Sequence, residues 1–333
     1  MRVLVTGGAG YIGSVIVKKL IKNGDQVCVI DDLSKGYPEN VDPDAELHKF
    51  NLLDLSKTIK TIKSYAPDAI IHMAASSIVS ESMTNPVFYY NNNVCATINL
   101  VQAALESNIR KFIFSSTAAV YGTPEYTPID ESHPENPINV YGESKLTCEK
   151  FLKWITLTTS AKCISLRYFN AAGSYDGLIE KHVPETHLIP NIFNSILESS
   201  QLTVFGNDYD TSDGTPIRDY IHVSDLADAH IMSLRLLYEK DSFNSPNFMI
   251  FNLGCERGYS VLDVINTVEK VTGRKVKFVL GSRRPGDPPT LVASYKRMKE
   301  TTGWEPKNSK ISDIVRSVWD SLNLKRKTKS CPS

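Results

Sequence analysis

At 333 residues the chain has room for one large or two ordinary domains. Its 37 basic and 37 acidic residues cancel, which argues against nucleic acid or another polyanion as the main partner. The 41% apolar content is ordinary for a globular protein, and no run of about eighteen apolar residues marks a membrane span.

The first predicted element is a strand, Arg2–Thr6, with Val3, Leu4 and Val5 as its apolar core. The chain enters it directly, without the apolar h-region of a secretory signal. Gly7, Gly10 and Gly13 follow, and then a helical pattern with Ile16, Leu20 and Ile21. A glycine triplet alone is a weak signal. Between a strand and a helix, it gives a sharp turn, a close backbone approach to a pyrophosphate and tight packing on the next strand. The free N–H groups of the helix start then face an anion. The second strand, at 26–30, is followed by Asp31. An acid there accepts hydrogen bonds from a ribose 2′-hydroxyl and repels a 2′-phosphate, so the expected cofactor is NAD rather than NADP.

Further apolar runs at 68–72, 111–115 and 164–168 read as buried parallel strands. Helical stretches at 54–65 and 86–107 lie between them. This alternation predicts an α/β fold, a Rossmann-type doubly wound parallel sheet with helices on both faces. Right-handed crossovers place the functional loops at the carboxyl ends of the strands. After about Asn170 the pattern loosens, and Gly, Asp and Pro punctuate shorter elements, as in the loop at 284–289. Helical patterns recur at 187–198, 224–238, 260–272 and 311–321. The expectation is an NAD-binding domain over 1–170 and a smaller α/β substrate domain over 171–333, with a cleft between them. Some later segments are expected to return to the first domain.

The six cysteines, Cys28, Cys95, Cys148, Cys163, Cys255 and Cys331, form no C-x-x-C pair or other metal spacing. Several lie in apolar runs, where Cys is a small buried hydrophobe. No metal is expected, and the reducing cytoplasm is the expected compartment. The basic tail at 325–329 reads as a solvated terminus.

Two further patterns carry chemistry. Tyr141 and Lys145 are four apart on a predicted helix and share a face. A free Tyr titrates near ~10, too high for a base at neutral pH. A nearby ammonium and the positive nicotinamide of NAD+ favour the phenolate, and lowering the pKa by ~3 units takes roughly 4 kcal/mol. The second pattern is Ser115-Ser116-Thr117-Ala118-Ala119, where a strand ends. Thr117 is placed to hydrogen-bond a substrate hydroxyl and the Tyr141 oxygen together; the same hydroxyls also suffice to close a turn.

With Gly7 to Gly13, these patterns resemble the extended short-chain dehydrogenase/reductase family over nearly the whole chain. Blocks around Tyr89-Tyr90-Asn91-Asn92-Asn93, Arg167-Tyr168-Phe169-Asn170, Phe205-Gly206-Asn207-Asp208-Tyr209, Asp213-Gly214-Thr215 and Arg218-Asp219-Tyr220-Ile221-His222-Val223 look like its sugar-nucleotide 4-epimerase branch. The resemblance implies reversible inversion at C4′ of a UDP-hexose, UDP-glucose or UDP-galactose. Oxidation to a 4′-ketose by tightly held NAD would be followed by hydride return to the opposite face. Tyr141 would be the base, with Thr117 and Lys145 beside it. A homodimer is implied, commonly through paired helices; 86–107 and 141–156 are the candidates.

Cofactor contacts implied by the resemblance are Tyr11, Ile12, Asp31, Asp32, Leu33, Ser34, Lys35, Gly36, Met73, Ala74, Ala75, Ser76, Ser77, Asn92 and Phe169, with Asn51 and Leu52 near adenine. UDP-sugar contacts implied are Asn170, Thr203, Val204, Phe205, Arg218, Tyr220, Arg284 and Asp287, with His187, Leu188 and Leu291 alongside. Two arginines suit a diphosphate, because each guanidinium makes bidentate bonds to phosphate oxygens. The chain departs from the branch at several places. Ser77 stands where a lysine is often found, and Asn51 where Asp is common. His187 stands where some members have Asn, and it either bonds substrate or caps the following helix. Leu291 stands where some have Tyr, which leaves room for a 2-acetamido group.

Sugar-nucleotide 4,6-dehydratases have Asp-Glu after the Thr, and the related decarboxylases commonly have a Glu two places after it. Here Ala118 and Ala119 follow Thr117, and methyl groups transfer no protons. UDP-N-acetylglucosamine and UDP-glucuronate 4-epimerases remain alternatives, as does a catalytically silent NAD-binding regulator. A regulator has no need of Thr117, Tyr141 and Lys145 together.

Overall fold

The computed structural model describes residues 1–239, 247–284 and 287–329, with side chains up to residue 324. Cys331, and Pro285 and Gly286 of the predicted loop, lie outside them. The first 170 residues supply strands β1 (Arg2–Thr6), β2 (Gln26–Asp31), β3 (Glu46–Lys49), β4 (Ala69–His72), β5 (Lys111–Thr117) and β6 (Lys162–Tyr168). Between them run helices α1 (Tyr11–Lys22), α2 (Leu55–Tyr65), α3 (Val79–Thr84), α4 (Pro86–Tyr89), α5 (Ala96–Glu106) and α6 (Val140–Thr158). The remainder supplies β7 (Asn170–Ala172), α7 (Leu188–Glu198), β8 (Leu202–Phe205), β9 (Ile217–His222), α8 (Val223–Leu236) and β10 (Phe248–Leu253). After these come β11 (Gly258–Ser260), α9 (Val261–Thr272), β12 (Phe278–Gly281), β13 (Thr290–Leu291), α10 (Lys296–Thr302) and α11 (Ile311–Lys329).

Seven strands form one parallel sheet in the order β10-β6-β5-β4-β1-β2-β3. Side chains alternate across a strand, so β1 feeds two cores. Val3 and Val5 pack with Ile16 and Leu20 of α1 and Leu226 and Leu234 of α8. Leu4 packs on the other face with Ile62 of α2, Leu100 of α5 and Leu152 of α6. A sheet covered on both faces needs continuous apolar strands, which is the pattern of β1, β4 and the middle of β5. The strand at 248–253 is the segment that returns to this sheet, pairing with β6 from Phe248 opposite Cys163 to Leu253 opposite Tyr168. Its apolar run, Phe248-Met249-Ile250-Phe251, lies far beyond the alternating half and was passed over, and β3 is short, half-exposed and polar and carries no strand signal.

The later elements build a smaller layer. Strand β9 pairs with β7, β11 and β13, and β8 pairs with β12. A third core of Ile192, Phe193, Val264, Ile265, Ile314 and Val315 joins α7, α9 and α11. Strands β6 and β7 are separated by one residue, Phe169, so the layer hangs from the carboxyl end of the sheet. The segment at 325–329, expected as a loose tail, continues α11. Cys28, Cys148, Cys163 and Cys255 are buried free thiols, and Cys95 is exposed.

One predicted helix is divided. The stretch at 86–107 is α4, then a π-helical turn at Tyr90–Cys95, then α5. The turn coincides with Asn91-Asn92-Asn93. Asn93 is buried, accepts from Ser76 N at 2.8 Å, and donates to Ser76 O and Ser144 Oγ at 3.0 Å each. These bonds compete with regular helix winding, as π-turns at functional sites commonly do.

Candidate active site

The glycine loop runs from β1 into α1. Gly7 has φ +72° and lies so close to Ala74 that an added Cβ would meet its nitrogen at 2.6 Å. At Gly13 an added Cβ would meet Gly7 O at 2.2 Å, so α1 packs directly on the loop. Gly10 differs, since a Cβ there would meet only Gly7 O, at 3.3 Å. Packing within the chain requires the first and third glycines, and the second leaves room beside the backbone. Gly10 is also the N-cap of α1, with no side-chain cap and no acid in the first turn. Open amides at a helix start with no acid in its first turn are what a pyrophosphate binds. The residues present therefore fit a dinucleotide.

A cleft beside this loop is lined by Gly7, Gly10, Asp31, Asp32, Ser34, Lys35, Gly36, Asn51, Leu52, Met73 to Ser76 and Asn92. Ile30, Phe50 and Ala96 also line it; the first two directly precede Asp31 and Asn51, a neighbourhood that sequence reading passed over. Asp31 does two jobs with its carboxylate. Oδ2 accepts from Ala9 N and Oδ1 from Leu33 N, each at 2.9 Å, so it ties the glycine loop to the turn after β2. Burial raises its pKa against these two backbone bonds. Asp32 accepts from Ser34 N at 2.9 Å and from Asn51 Nδ2 at 2.7 Å, which fixes Asn51 across the cleft mouth. Asn92 Nδ2 donates to Ser76 Oγ at 3.0 Å.

Tyr11, Ile12, Gly13, Leu33, Ser77 and Phe169 do not line this cleft. Leu33 occupies a left-handed position, φ 61°, and Ser77 is exposed. The Tyr11 hydroxyl donates to Gly173 O at 2.5 Å, which ties α1 to the smaller layer. Phe169 is buried with Ala118, Leu146 and Ala293, and Leu291 packs against that cluster.

Thr117 is the last residue of β5, and Tyr141 and Lys145 lie in α6, whose N-cap Asn139 accepts from Gly142 N at 2.8 Å. The Thr117 hydroxyl accepts from Ala119 N at 3.1 Å and lies beside the Tyr141 phenol, whose pKa it lowers. Lys145, 3% exposed, donates through Nζ to Ser115 O at 2.6 Å, with Nζ 4.7 Å from the Phe114 ring centre. Burial pushes Lys145 down to about 8. Burial also pushes Tyr141 up to about 12, against the lowering by the Thr117 hydroxyl. In the chain alone burial outweighs the lowering expected for Tyr141; the other part of that expectation, the positive nicotinamide, comes only with the cofactor.

Two supporting groups carry no signal of their own in isolation. Glu149, one turn beyond Lys145, accepts from Ser165 Oγ at 2.7 Å and from Arg167 Nε at 3.1 Å. Arg167 is fully buried and also bonds Glu135. This buried network fastens α6 to β6. Its only sequence trace was Arg167 in the quoted Arg-Tyr-Phe-Asn block.

The expected sugar-nucleotide positions lie on the smaller layer. Arg218 on β9 bonds Asp287, and donates to Pro288 O at 2.8 Å and to its neighbour's Ile217 O at 2.7 Å. Arg284 stands 4.3 Å over the Phe205 ring at the end of β8. Asp287 therefore pairs with Arg218 across the sheet edge rather than with Arg284 in the same loop. Thr203 and Phe205 are exposed on β8, and Val204 between them is buried. Tyr220 is buried, and Asn170 Nδ2 donates to Asp219 O at 3.1 Å. His187 is at the N-cap of α7, but its side chain does not cap; Nδ1 faces Glu185 Oε1 at 2.9 Å, and Leu188 begins the helix.

The family model described as the NAD dependent epimerase/dehydratase family matches residues 3–254. The chain belongs to that family. A UDP-glucose 4-epimerase of Lactobacillus helveticus is 44% identical over 322 residues, 96% of each chain. A solved UDP-glucose 4-epimerase of Brucella ovis, in complex with NAD, is 40% identical with TM-score 0.90, covering 95% of this chain and 96% of that one. The Bifidobacterium longum UDP-glucose 4-epimerase, in complex with NAD+ and UDP, is 33% identical with TM-score 0.89, covering 99% of both chains. Membership in the NAD dependent epimerase/dehydratase family accords with the Rossmann-type sheet, the glycine loop and Asp31. No helix among the described residues is long and apolar enough to cross a membrane.

Proposed function

We propose that the protein is an NAD-dependent enzyme that interconverts UDP-glucose and UDP-galactose by inverting C4′. The observation that carries this reading is the meeting of Thr117, Tyr141 and Lys145 where β5 and α6 converge, followed by a short turn, Ala118–Val120, without a proton-transfer group. NAD, when bound, supplies the hydride acceptor and donor and, oxidised, a positive ring that favours the phenolate. The Tyr141 oxygen takes the proton of the sugar 4′-hydroxyl and gives it back after the sugar has turned over. Thr117 holds the two oxygens together, and Lys145 keeps a positive charge at the site. Ala118 and Ala119 offer nothing to drive elimination or loss of carbon dioxide, so the oxidised sugar is reduced again at the same carbon. Residues 1–170 form the NAD-binding part and 171–333 the UDP-sugar part, apart from α8 and β10, which return to the first sheet, with Arg218 and Arg284 for the diphosphate and Asp287 for the nucleotide ribose.

Incubation with UDP-galactose is expected to yield UDP-glucose without added cofactor, with a reduced-nicotinamide band in the near ultraviolet. Binding of UDP-sugar without either change would indicate a silent regulator instead.

A homodimer is proposed through α4, α5 and α6. Val87 and Trp154 are 73% and 67% exposed, and Phe88, Ile98 and Leu157 are exposed near them in sequence on the same elements. Light scattering is expected to give twice the chain mass, and Trp154→Glu to lower it. Buried free thiols suit a reducing cytoplasm.

A further inference from the structure

The segment between β7 and α7 carries the same three-residue device twice. Glu180 Oε1 accepts from Lys181 N at 2.9 Å and His182 N at 3.1 Å, and stands 3.1 Å from His182 Nδ1. Glu185 Oε1 accepts from Thr186 N and His187 N at 2.8 Å each, and stands 2.9 Å from His187 Nδ1. The two imidazoles meet edge to face, with ring centres 4.8 Å apart. Ligand atoms of Glu180, His182 and His187 lie within 4.8 Å of one another. The reaction proposed above assigns no step to Glu180 or His182, and the ring of His187, one of the UDP-sugar positions implied by the resemblance, is turned to Glu185.

We propose that Glu180, His182 and His187 bind a divalent cation of the zinc class. Two imidazoles and a carboxylate are a zinc donor set that leaves one position open. Ligands at about 2.0–2.2 Å from tetrahedral zinc lie about 3.3–3.5 Å apart, so the set closes on the ion by about an ångström. Each carboxylate is already held by the amides of the two residues that follow it, which lowers the ordering cost of the site. Glu185, bonded to the ring of His187, sets the orientation of that ligand, as outer-shell carboxylates do. A second cluster, Cys28, Glu46 and His48, has ligand atoms equally close, but its thiol is buried in the sheet between β1 and β3.

The ion has a structural consequence for the neighbouring cleft. The segment rests on the turn after β2, where Lys35 Nζ donates to Val183 O at 3.1 Å and Tyr37 OH to Lys181 O at 3.0 Å. Lys35 lines the cofactor cleft. A metal that cross-links Glu180, His182 and His187 stiffens the strap that covers that turn.

The test is a Co2+ and Zn2+ titration of the full chain after chelator treatment, read by visible absorbance and calorimetry. One Co2+ per chain with intense ligand-field bands, displaced by Zn2+, is expected. His182→Ala and His187→Ala should each weaken binding by at least tenfold, and Glu185→Gln by about tenfold to 100-fold. Circular dichroism confirms that the variants fold. Unchanged affinity in the double variant His182→Ala/His187→Ala overturns the site. So does a thiolate-to-Co2+ charge-transfer band that vanishes in Cys28→Ser, or an absence of binding.

Discussion

Lys145 Nζ donates to the main-chain carbonyl of Ser115 at 2.6 Å, two residues before Thr117. The cation of α6 is thereby fastened to the strand that presents the hydroxyl. The Thr117 hydroxyl and the Tyr141 phenol face each other across the same junction. The spacing of the three groups is set by one strand–helix contact, not by a flexible loop, which is how a site keeps its geometry through a reaction.

Tyr141→Phe removes the atom assigned to hold the proton. Turnover is expected to fall about 10²–10⁴-fold, with affinity for UDP-sugar little changed in calorimetry. Thr117→Val should lose turnover in the same direction, and Thr117→Ser should recover most of it. Near-parental turnover in Tyr141→Phe would remove this residue from the proposed role.

Lys145 gives a pH signature. Its pKa is pushed down from 10.5 to about 8 by burial. Between those values the unfolded chain binds the proton that the folded chain releases, so stability rises with pH across that window. Below about 8 the folded protein carries the full cost of the buried charge. Lys145→Met is expected to abolish turnover. Its unfolding free energy relative to the parent should drop by about 2–3 kcal/mol between pH 7 and pH 10. Urea unfolding at the two pH values measures this, and a constant difference contradicts a buried, lowered amine.

The two later glycines of the loop are expected to fail differently. Gly13→Ala drives a methyl into Gly7 O at 2.2 Å and should lower the melting temperature of protein stripped of cofactor. Gly10→Ala meets only a 3.3 Å neighbour, so stability should hold while retained NAD falls. Equal melting losses in both variants would contradict a ligand-directed role for Gly10.

Arg218→Lys replaces a planar fork with a point charge. KM for UDP-sugar is expected to rise by about 10–100-fold, with kcat within a few-fold, the split expected of lost ground-state binding. A loss confined to kcat would place Arg218 in the chemistry instead.

Leu291 packs against the cluster of Ala118 and Phe169, close to the end of β5. Its side chain is smaller than the Tyr found in some relatives, so UDP-N-acetylglucosamine should be turned over as well as UDP-glucose. Leu291→Tyr should suppress the first and spare the second. A panel of UDP-sugars with product analysis at C4′ reads both, and no turnover of the acetamido sugar by the parent rejects the wider pocket.

The sheet was legible because buried parallel strands are written as continuous apolar runs, as in Val3-Leu4-Val5 and Phe112-Ile113-Phe114. Edge strands escaped that rule. Glu46–Lys49 is half-exposed and polar, and Phe248–Leu253 stands outside the alternating half. The cleft residues came through local motifs, and Asp31, the last residue of β2, was found from its place at the end of that apolar run. What was illegible needed three dimensions. The Asn93 bonds that wind the helix into a π-turn, the Glu149–Arg167 pair under α6 and the Arg218–Asp287 pair join residues distant in sequence. How deeply Tyr141 is buried was illegible as well, because four residues along a helix do not say what covers the phenol.

Strand β10 bears on how the chain is made. Until it arrives, β6 is the rim of the sheet, with its hydrogen-bonding groups unmatched and Cys163, Ile164 and Leu166 beside them. About 80 residues separate the two strands, so at roughly 5–20 residues per second that rim stays open on the ribosome for several seconds. A ribosome-bound chain ending near residue 240 is then the most adhesive stage of synthesis, and the cofactor meets a finished sheet only after residue 253 has emerged.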